Sequence, residues 1–271
     1  NMAREKPTTA EQAESFAALI KTAVEKPGTL SDSYSMFHDY SFTNTFYAWA
    51  QAIQRDLDMG PIATFKQWKK LGRKVTKGQK AIWMTMPITK MGEDPKDSTK
   101  KIVVGQFFTT VPRWYFMSQT AGPDVSVSEK DTVKWNKDQA LQRLEIKEEP
   151  FSHIDGNCGG YARCKGDKQG TIAVNPVHPH PYRIYFHEMA HILMHSESET
   201  VSAEDRPPAT IRELEAELVA YICAQTLGLD GAAESRGYIQ HWFKSKDVPA
   251  TSAKAVCETA GKILSAGKED K

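Results

Sequence analysis

The chain has 271 residues, of which 40% are hydrophobic and 25% charged, a composition typical of globular proteins that excludes an intrinsically disordered one. This length is enough for two domains of ordinary size. The formal net charge is only +1, so the overall charge does not favour any class of partner.

The cysteines and the apolar segments indicate a cellular compartment. The four cysteines are Cys158, Cys164, Cys223 and Cys257. No two of them form a CxxC pair, which excludes a cysteine-based zinc finger, and free thiols are favoured over a Cys158–Cys164 bridge. No segment reaches the ~18 apolar residues of a membrane span, and Lys21 interrupts the short apolar stretch at residues 16–20. We therefore expect a cytoplasmic protein with no membrane partner.

The first part of the chain changes from helical to strand periodicity. Apolar residues at helical spacing predict three helices, at residues 9–26, 41–56 and 65–71. Thr64 is the predicted N-cap of the third helix. β-branched and aromatic residues then predict two strands over residues 80–90 and 101–119. Between them we expect the polar residues 92–98 to form a turn or a longer loop.

The second part of the chain is mostly helical. Helical spacing predicts four further helices, at residues 137–144, 181–195, 210–227 and 252–264. A short strand is predicted over residues 170–175. This order predicts an α+β fold, with an N-terminal α+β domain at residues 1–125 and a mostly helical domain at residues 126–271. The predicted linker begins at the Ala-Gly-Pro sequence at residues 121–123 and extends to residue 130.

The segment His187-Glu188-Met189-Ala190-His191 has the spacing of a zinc hydrolase. Residues four apart on a helix share one face, so His187 and His191 present two imidazoles to the same point, which suits Zn²⁺. Glu188 lies about 100° around the helix, where it can reach a metal-bound water without being a ligand. The metal lowers the pKa of that water, and Glu188 is the predicted general base.

A hydrolytic zinc site also needs a third protein ligand, and the helix at residues 210–227 carries three glutamates. Glu213 and Glu217 share one face, whereas Glu215 points about 200° away from them. We therefore predict Glu213 as the third ligand and Glu217 as the carboxylate that orients a histidine through its other ring nitrogen. The alternative is an ordinary acidic helix with a solvated face, but its one basic residue, Arg212, cannot pair with three glutamates.

Two other features of this region complete the predicted site. His195 continues the spacing of His187 and His191, but a straight helix cannot bring three histidines to one ion, so His195 is expected at the rim or behind a ligand. The strand within residues 171–174 could lie beside the cleft and pair with an extended peptide.

Residues 60–120 are strongly basic, with twelve basic residues against three acidic ones and a net charge of +9. Such a segment indicates a polyanionic partner. Aromatic residues are interleaved with the lysines, the combination that binds single-stranded nucleic acid by stacking. The alternative is that the rings form a core and the lysines solvate its surface, which we favour for most of the rings. The predicted DNA contacts are Trp68, Lys69, Lys70, Arg73, Lys77 and Lys80.

Several motifs together resemble the ArdC antirestriction family. They are TFKQWKKLGRKVTKGQK at residues 64–80, SFTN at 41–44, SQT at 118–120, HEMAH at 187–191 and ELEAELVAYICAQTLGLD at 213–230. The resemblance implies a single-stranded-DNA-binding domain joined to a zincin-like metallopeptidase domain related to the ImmA/IrrE group. It also implies a protein of plasmids and other mobile elements that protects incoming DNA from host restriction during conjugation.

Carried over to this chain, the family pattern implies metal binding by His187, His191 and Glu213 and catalysis by Glu188. Relatives often have a phenylalanine–aspartate pair before the SQT motif, whereas this chain has Phe116 and then a methionine. Two functions stay open: a zinc metallopeptidase with a host protein as a possible substrate, or a DNA-binding shield whose zinc site is structural or inactive. A nuclease is disfavoured, because phosphodiester hydrolysis commonly uses two metals.

Overall fold

The described part of the chain confirms the α+β class. The structure, a computed structural model, describes residues 8–26, 41–94, 97–125, 134–152, 158–163, 169–196, 206–243 and 250–269. Within these ranges the chain forms α-helices and three small β-sheets. The predicted linker at residues 121–130 lies partly outside them.

The three helices predicted in the first part of the chain are confirmed. They are α1 (Thr9–Glu25), α2 (Phe42–Gln54) and α3 (Phe65–Lys70). Each begins at a hydroxyl side chain that accepts a hydrogen bond from the backbone of the first turn, namely Thr8, Ser41 and Thr64. Thr8 and Thr64 also form capping boxes with the residue three positions later, which explains why these helix starts could be predicted from local sequence.

The two predicted strands of this part are longer than expected, and three further short strands were not predicted. They are β1 (Ile62–Thr64), β2 (Lys74–Val75), β3 (Ile82–Asp94), β4 (Asp97–Phe116) and β5 (Thr120–Ala121). β3 and β4 form an antiparallel hairpin, β1 adds to the end of β4, and β2 pairs with β5. Of the turn or longer loop predicted at residues 92–98, residues 92–94 and 97–98 belong to the strands instead, with Glu93 opposite Lys101, and residues 95–96 lie outside the described ranges. Polar residues can continue a pair of antiparallel strands, because one face of such a pair can be in contact with water.

The free edge of β3 is covered by two amide side chains of α2. Asn44 donates a hydrogen bond to the Thr85 carbonyl oxygen and accepts one from the Thr85 amide, both at 2.8 Å. Gln51 forms the same pair of bonds with Trp83, at 2.8 and 2.9 Å. The two amides thus satisfy backbone groups that would otherwise be open to another strand.

The second part of the chain contains the helices that were predicted and several elements that were not. The elements are α4 (Lys137–Arg143), β6 (Lys147–Glu148), β7 (Gly160–Arg163), β8 (Thr171–Val174), α5 (Pro181–His195), α6 (Ala209–Leu227), α7 (Ala232–Phe243) and α8 (Ala250–Gly267). α7, β6 and β7 were missed, because strands of two to four residues show no period and α7 carries Gly237 in its interior.

Helices from both ends of the chain share one hydrophobic core. The hydroxyl of Tyr221 on α6 donates to the Ala23 carbonyl oxygen of α1 at 2.7 Å, and the guanidinium of Arg236 on α7 donates to the Val24 carbonyl oxygen, also at 2.7 Å. α1 and α2 therefore help to hold the helices that carry the second part of the chain. The domain boundary between residues 125 and 126 stays a prediction.

None of the helices in the described ranges is both long enough and apolar enough to span a bilayer.

Candidate metal centre

The HEMAH segment lies in the middle of α5, between two faces of different character. Phe186, Met189 and Ala190 are completely buried and pack into the core, which fixes the rotation of the helix. This rotation turns His187 and His191 towards an open cleft of about 480 Å³.

The structure brings His187, His191 and Glu213 together at one point of that cleft. The Nε2 atoms of the two histidines lie 3.1 Å apart, and the Glu213 carboxylate oxygens lie 3.4 Å from Nε2 of His187 and 3.5 Å from Nε2 of His191. In a tetrahedral site with bonds of about 2.0–2.1 Å, donor atoms are separated by roughly 3.3 Å. The three donor atoms therefore fit a divalent metal ion with little movement.

His187 is held from behind by a chain of polar contacts. Its Nδ1 lies 3.1 Å from Oε2 of Glu217, and the other oxygen of that carboxylate accepts a hydrogen bond from the Arg183 guanidinium. Arg183 in turn donates to the hydroxyl of Ser235 on α7 at 2.7 Å. The Glu217 carboxylate thus fixes the orientation of the ring and directs its Nε2 towards the cleft.

His191 is held by a longer chain that contains a residue the sequence analysis did not assign. Its Nδ1 lies 3.2 Å from Nδ1 of His195, and Nε2 of His195 lies 2.8 Å from a carboxylate oxygen of Glu215. If Nε2 of His191 bound a metal, Nδ1 of His191 would carry the ring proton and donate a hydrogen bond to Nδ1 of His195. Nε2 of His195 would then donate a hydrogen bond to the Glu215 carboxylate. The positions of Glu213 and Glu215 around one helix do not predict this contact. The contact between His195 and Glu215 depends on how α6 crosses α5.

The titratable side chains of the site differ in how strongly they hold their protons. Burial raises the pKa of the Glu188 carboxyl to about 7, and the negative charge of Glu213 adds to this effect. Burial opposes a charge on His187, but hydrogen bonds to Glu213 and Glu217 outweigh it and raise its pKa to about 9. Burial and the neighbouring His187 lower the pKa of His191 to about 4. A metal ion must therefore displace a proton from His187 at neutral pH.

The strand that borders the cleft is β7 and not the predicted segment at residues 171–174. That segment is β8, which lies between β6 and β7, with all four residues paired to β7 and with Thr171 and Ile172 also paired to β6. It cannot add a peptide, and this expectation is wrong. Among the described strands, β7 lies at the edge of its sheet, and it lines the cleft with Gly160, Tyr161 and Ala162.

The contact between β7 and α5 is close and depends on Gly160. A Cβ atom at this position would lie 2.5 Å from Cγ2 of Ile184 and 2.9 Å from the Ala173 carbonyl oxygen. The Gly159 oxygen accepts a hydrogen bond from the Asn175 amide at 2.9 Å, which directs it towards β8. Because the backbone groups of antiparallel strands alternate in direction, those of Gly160 and Ala162 point to the free edge.

Replacing Glu217 with alanine is expected to weaken metal binding by about 10- to 100-fold, because His187 loses the carboxylate that orients it. Glu215→Ala is expected to have a smaller effect, since its carboxylate acts on His191 only through His195. Competition with a chromophoric chelator measures both affinities, with the exposed Glu14→Ala on α1 as the control. Unchanged affinity in both variants would show that these carboxylates do not support the ligands.

Two of the predicted DNA contacts lie in the interior of the first part of the chain. Trp68 is 1% exposed, packs with Ala81 and Tyr115, and donates its indole proton to the Tyr115 carbonyl oxygen at 2.8 Å. Arg73 is 7% exposed and donates to backbone oxygens of the segment after β4. Neither side chain offers a surface to a nucleic acid, so their predicted role is corrected to a structural one.

The other predicted contacts are exposed. Lys69, Lys70, Lys77 and Lys80 have exposed side chains. Phe65, at the start of α3, is 55% exposed and lies on the same short helix as two of these lysines. The sequence does not distinguish Trp68 from Phe65 as the exposed ring, because only the packing of α3 decides which of the two faces the core.

Comparison with known proteins found similarity to a family model and to crystal structures of an antirestriction protein. Residues 11–111 match the model of the N-terminal domain of anti-restriction factor ArdC. The metal-free crystal structure of the antirestriction ArdC protein from the R388 plasmid is 18% identical, with a TM-score of 0.46 over 94% of this chain and 97% of that one. Its Mn(II)-bound crystal structure is 17% identical, with a TM-score of 0.41 over 86% of each chain.

No curated protein matches the chain. The domain match at residues 11–111 includes α2, α3 and most of the β3–β4 hairpin, the region whose motifs resemble this family in sequence. Over residues 11–111 the chain is therefore similar to the N-terminal domain of anti-restriction factor ArdC.

Proposed function

We propose that this chain is an antirestriction protein of a mobile element that binds single-stranded DNA and cleaves a protein with a zinc-dependent peptidase site. It protects incoming DNA from host restriction during conjugation, in the cytoplasm of the recipient cell, and its protein substrate belongs to the host. The observation that carries the proposal is the position of Glu188, a buried carboxylate next to three converging metal ligands in an open cleft.

His187, His191 and Glu213 are the residues that hold the metal. Two imidazoles and one carboxylate are a ligand set used by catalytic zinc sites, which keep a further position open. A bound zinc ion supplies Lewis-acid chemistry, polarising a carbonyl oxygen and lowering the pKa of water. Glu217 and the His195–Glu215 pair keep the two imidazoles in the ligating orientation.

Glu188 moves the proton in this proposal. Its carboxylate accepts a proton from the attacking water and then delivers it to the leaving amine. Burial raises its pKa to about 7, so the group can exist in both protonation states near neutral pH. A purely structural metal site has no need of such a group beside the ligands.

The free edge of β7 is the proposed binding surface for the polypeptide substrate. An extended segment can add to this strand by backbone hydrogen bonds from Gly160 and Ala162, which places it along the cleft beside Glu188. Binding through the backbone holds the substrate in place and leaves the choice of sequence to side-chain contacts.

The proposed DNA surface consists of Phe65 and the four exposed predicted lysines, Lys69, Lys70, Lys77 and Lys80. The lysines neutralise phosphates, and the exposed ring stacks on a base. We expect single-stranded oligonucleotides to bind more tightly than duplexes, because duplex bases are not available for stacking.

Substitution of Lys69 and Lys70 by alanine is expected to weaken DNA binding and to reduce the salt slope of log K by about 0.7 per lysine. Fluorescence anisotropy with single-stranded and duplex oligonucleotides over a salt series measures both quantities. Lys147→Ala, an exposed lysine of β6, is the matched control and should leave the slope unchanged. Binding by the wild type that is absent or insensitive to salt would contradict the proposed surface.

The function itself is tested by transfer of unmodified DNA into restricting cells that carry either the wild type or Glu188→Gln. We expect the variant to lose most of the protection while it still binds metal and DNA. Full protection by the variant would refute the peptidase and leave a DNA-binding shield with a structural or inactive zinc site.

A further inference from the structure

Arg212 lies in the first turn of α6, immediately before the predicted metal ligand Glu213. Its side chain lines the same cleft as His191 and Glu213, whereas the proposed mechanism gives it no role. A guanidinium group therefore stands beside the proposed reaction centre.

No acidic side chain among the described residues forms an ion pair with this guanidinium. Its Nε atom is buried and makes no hydrogen bond with any of them. The carboxylate next to it in sequence contacts both metal-site histidines, and the other two glutamates of α6 are bound to His195 and to the Arg183–His187 pair. None of these acids forms an ion pair with Arg212.

The position of Arg212 within the helix adds to this cost. The amide groups at a helix N-terminus carry partial positive charge, so a cation in the first turn is disfavoured. A buried donor without a partner is also destabilising. An anionic group bound in the cleft would relieve the first of these effects, and a guanidinium can bind a carboxylate through two parallel hydrogen bonds.

We propose that Arg212 binds a carboxylate side chain of the polypeptide substrate and thereby makes the cleft selective for acidic segments. This inference rests on the proposed function of the site. A peptide carboxylate fits better than a nucleic-acid phosphate, because the edge of β7 offers backbone pairing to an extended peptide. Glu188 and Glu213 line the same cleft and would repel a polyanionic backbone.

Two peptide hydroxamates that differ only in a glutamate or a glutamine next to the hydroxamate test the proposal. The hydroxamate binds the metal, so affinity for the zinc-loaded protein can be measured by isothermal titration calorimetry without any turnover. We expect the wild type to bind the glutamate compound about tenfold more tightly, a typical effect of one charge-assisted hydrogen bond. Arg212→Gln should bind both compounds with equal affinity. Arg212→Glu should instead favour a third hydroxamate that carries lysine at the same position.

Arg163→Gln is the matched control. Arg163 lies next to the cleft-lining residue Ala162, but it already pairs with Glu149 at 2.9 Å, so the preference for glutamate should persist in this variant. Arg212→Lys keeps the charge and should keep a smaller preference of the same sign. This variant decides the matter if Arg212→Gln loses metal or fails to fold.

The proposal would be overturned if the wild type bound both compounds with equal affinity. It would also be overturned if the preference for the glutamate compound survived in Arg212→Gln or vanished in Arg212→Lys. Displacement of the glutamate hydroxamate by an oligothymidylate, dependent on Arg212, would overturn it in favour of nucleic acid. An equal loss of affinity for both compounds in metal-loaded Arg212→Gln would assign the arginine to the hydroxamate itself rather than to substrate selection. A protein that shows the preference but cleaves no peptide refutes the peptidase and leaves this anion site standing.

Discussion

Replacing Glu188 with glutamine is expected to lower peptide hydrolysis by about 10²- to 10⁴-fold, the usual contribution of general acid–base catalysis, while metal binding is unchanged. Glutamine has the shape of glutamate but accepts no proton from water. Glu188 does not belong to the triangle of donor atoms formed by the two histidines and Glu213, so its replacement leaves the metal ligands in place. The measurement is mass-spectrometric analysis of a mixed peptide library incubated with each zinc-loaded protein.

The exposed Glu14→Gln on α1 is the control for that comparison and should hydrolyse peptides like the wild type. Hydrolysis by Glu188→Gln at the wild-type rate would show that another group acts as the base or that a contaminating protease is present. Loss of metal from Glu188→Gln would place Glu188 among the ligands and contradict the proposed role.

Replacing Arg73 with alanine is expected to destabilise the protein by about 3 kcal/mol or more, because several buried acceptors lose their donor at once. Arg73 donates to the hydroxyl of Thr120 at 2.7 Å and to the backbone oxygens of Thr120 and Gly122 at 3.0 Å each. It therefore ties the segment after β4 to the start of β2. At Gly122 the backbone has a φ of +148°, and a Cβ there would lie 2.8 Å from the Gly72 oxygen, so the segment cannot easily adjust.

Urea denaturation followed by tryptophan fluorescence measures this loss. Arg113→Ala, an exposed arginine of β4, is the control and should change the free energy of unfolding by less than about 0.5 kcal/mol. Arg73→Lys should fall between the two, because lysine keeps the charge but lacks the planar group with five donors. A stability of Arg73→Ala equal to that of the wild type would show that the segment does not depend on this side chain.

Local sequence was sufficient to predict the helix that carries the HEMAH motif and the start of the helix at Thr64. α5 was predicted over residues 181–195, and the structure has it at Pro181–His195. A proline at the first helical position and a hydroxyl at an N-cap act within one turn, so no tertiary information is needed to interpret them.

Local sequence could not predict which side chains support the metal-site histidines. It also could not predict which aromatic rings face the core and which face solvent. The contact between His195 and Glu215 joins two helices, and its existence depends on their crossing. Trp68 and Phe65 are both aromatic residues of α3, and their opposite exposure follows from the packing of Trp68 with Tyr115. In both cases the missing information is which surface of a helix meets another element.

The role of β8 was misjudged for a related reason. Its sequence has the β-branched pattern of a strand, and the structure confirms that it is one. Sequence gave no indication of β7, whose four residues begin with a glycine, so β8 was expected at the cleft. The order of strands in a sheet decides which edge is free, and that order is a tertiary property.

Metal analysis of the purified protein tests the central claim most directly. After incubation with zinc and removal of the excess, inductively coupled plasma mass spectrometry should find one zinc per wild-type chain and per Glu188→Gln chain. His187→Ala and His191→Ala should hold almost none, because each lacks one of the three converging donors. A wild type without bound metal, or histidine variants that keep a full equivalent, would contradict the assignment of this cleft as a metal centre.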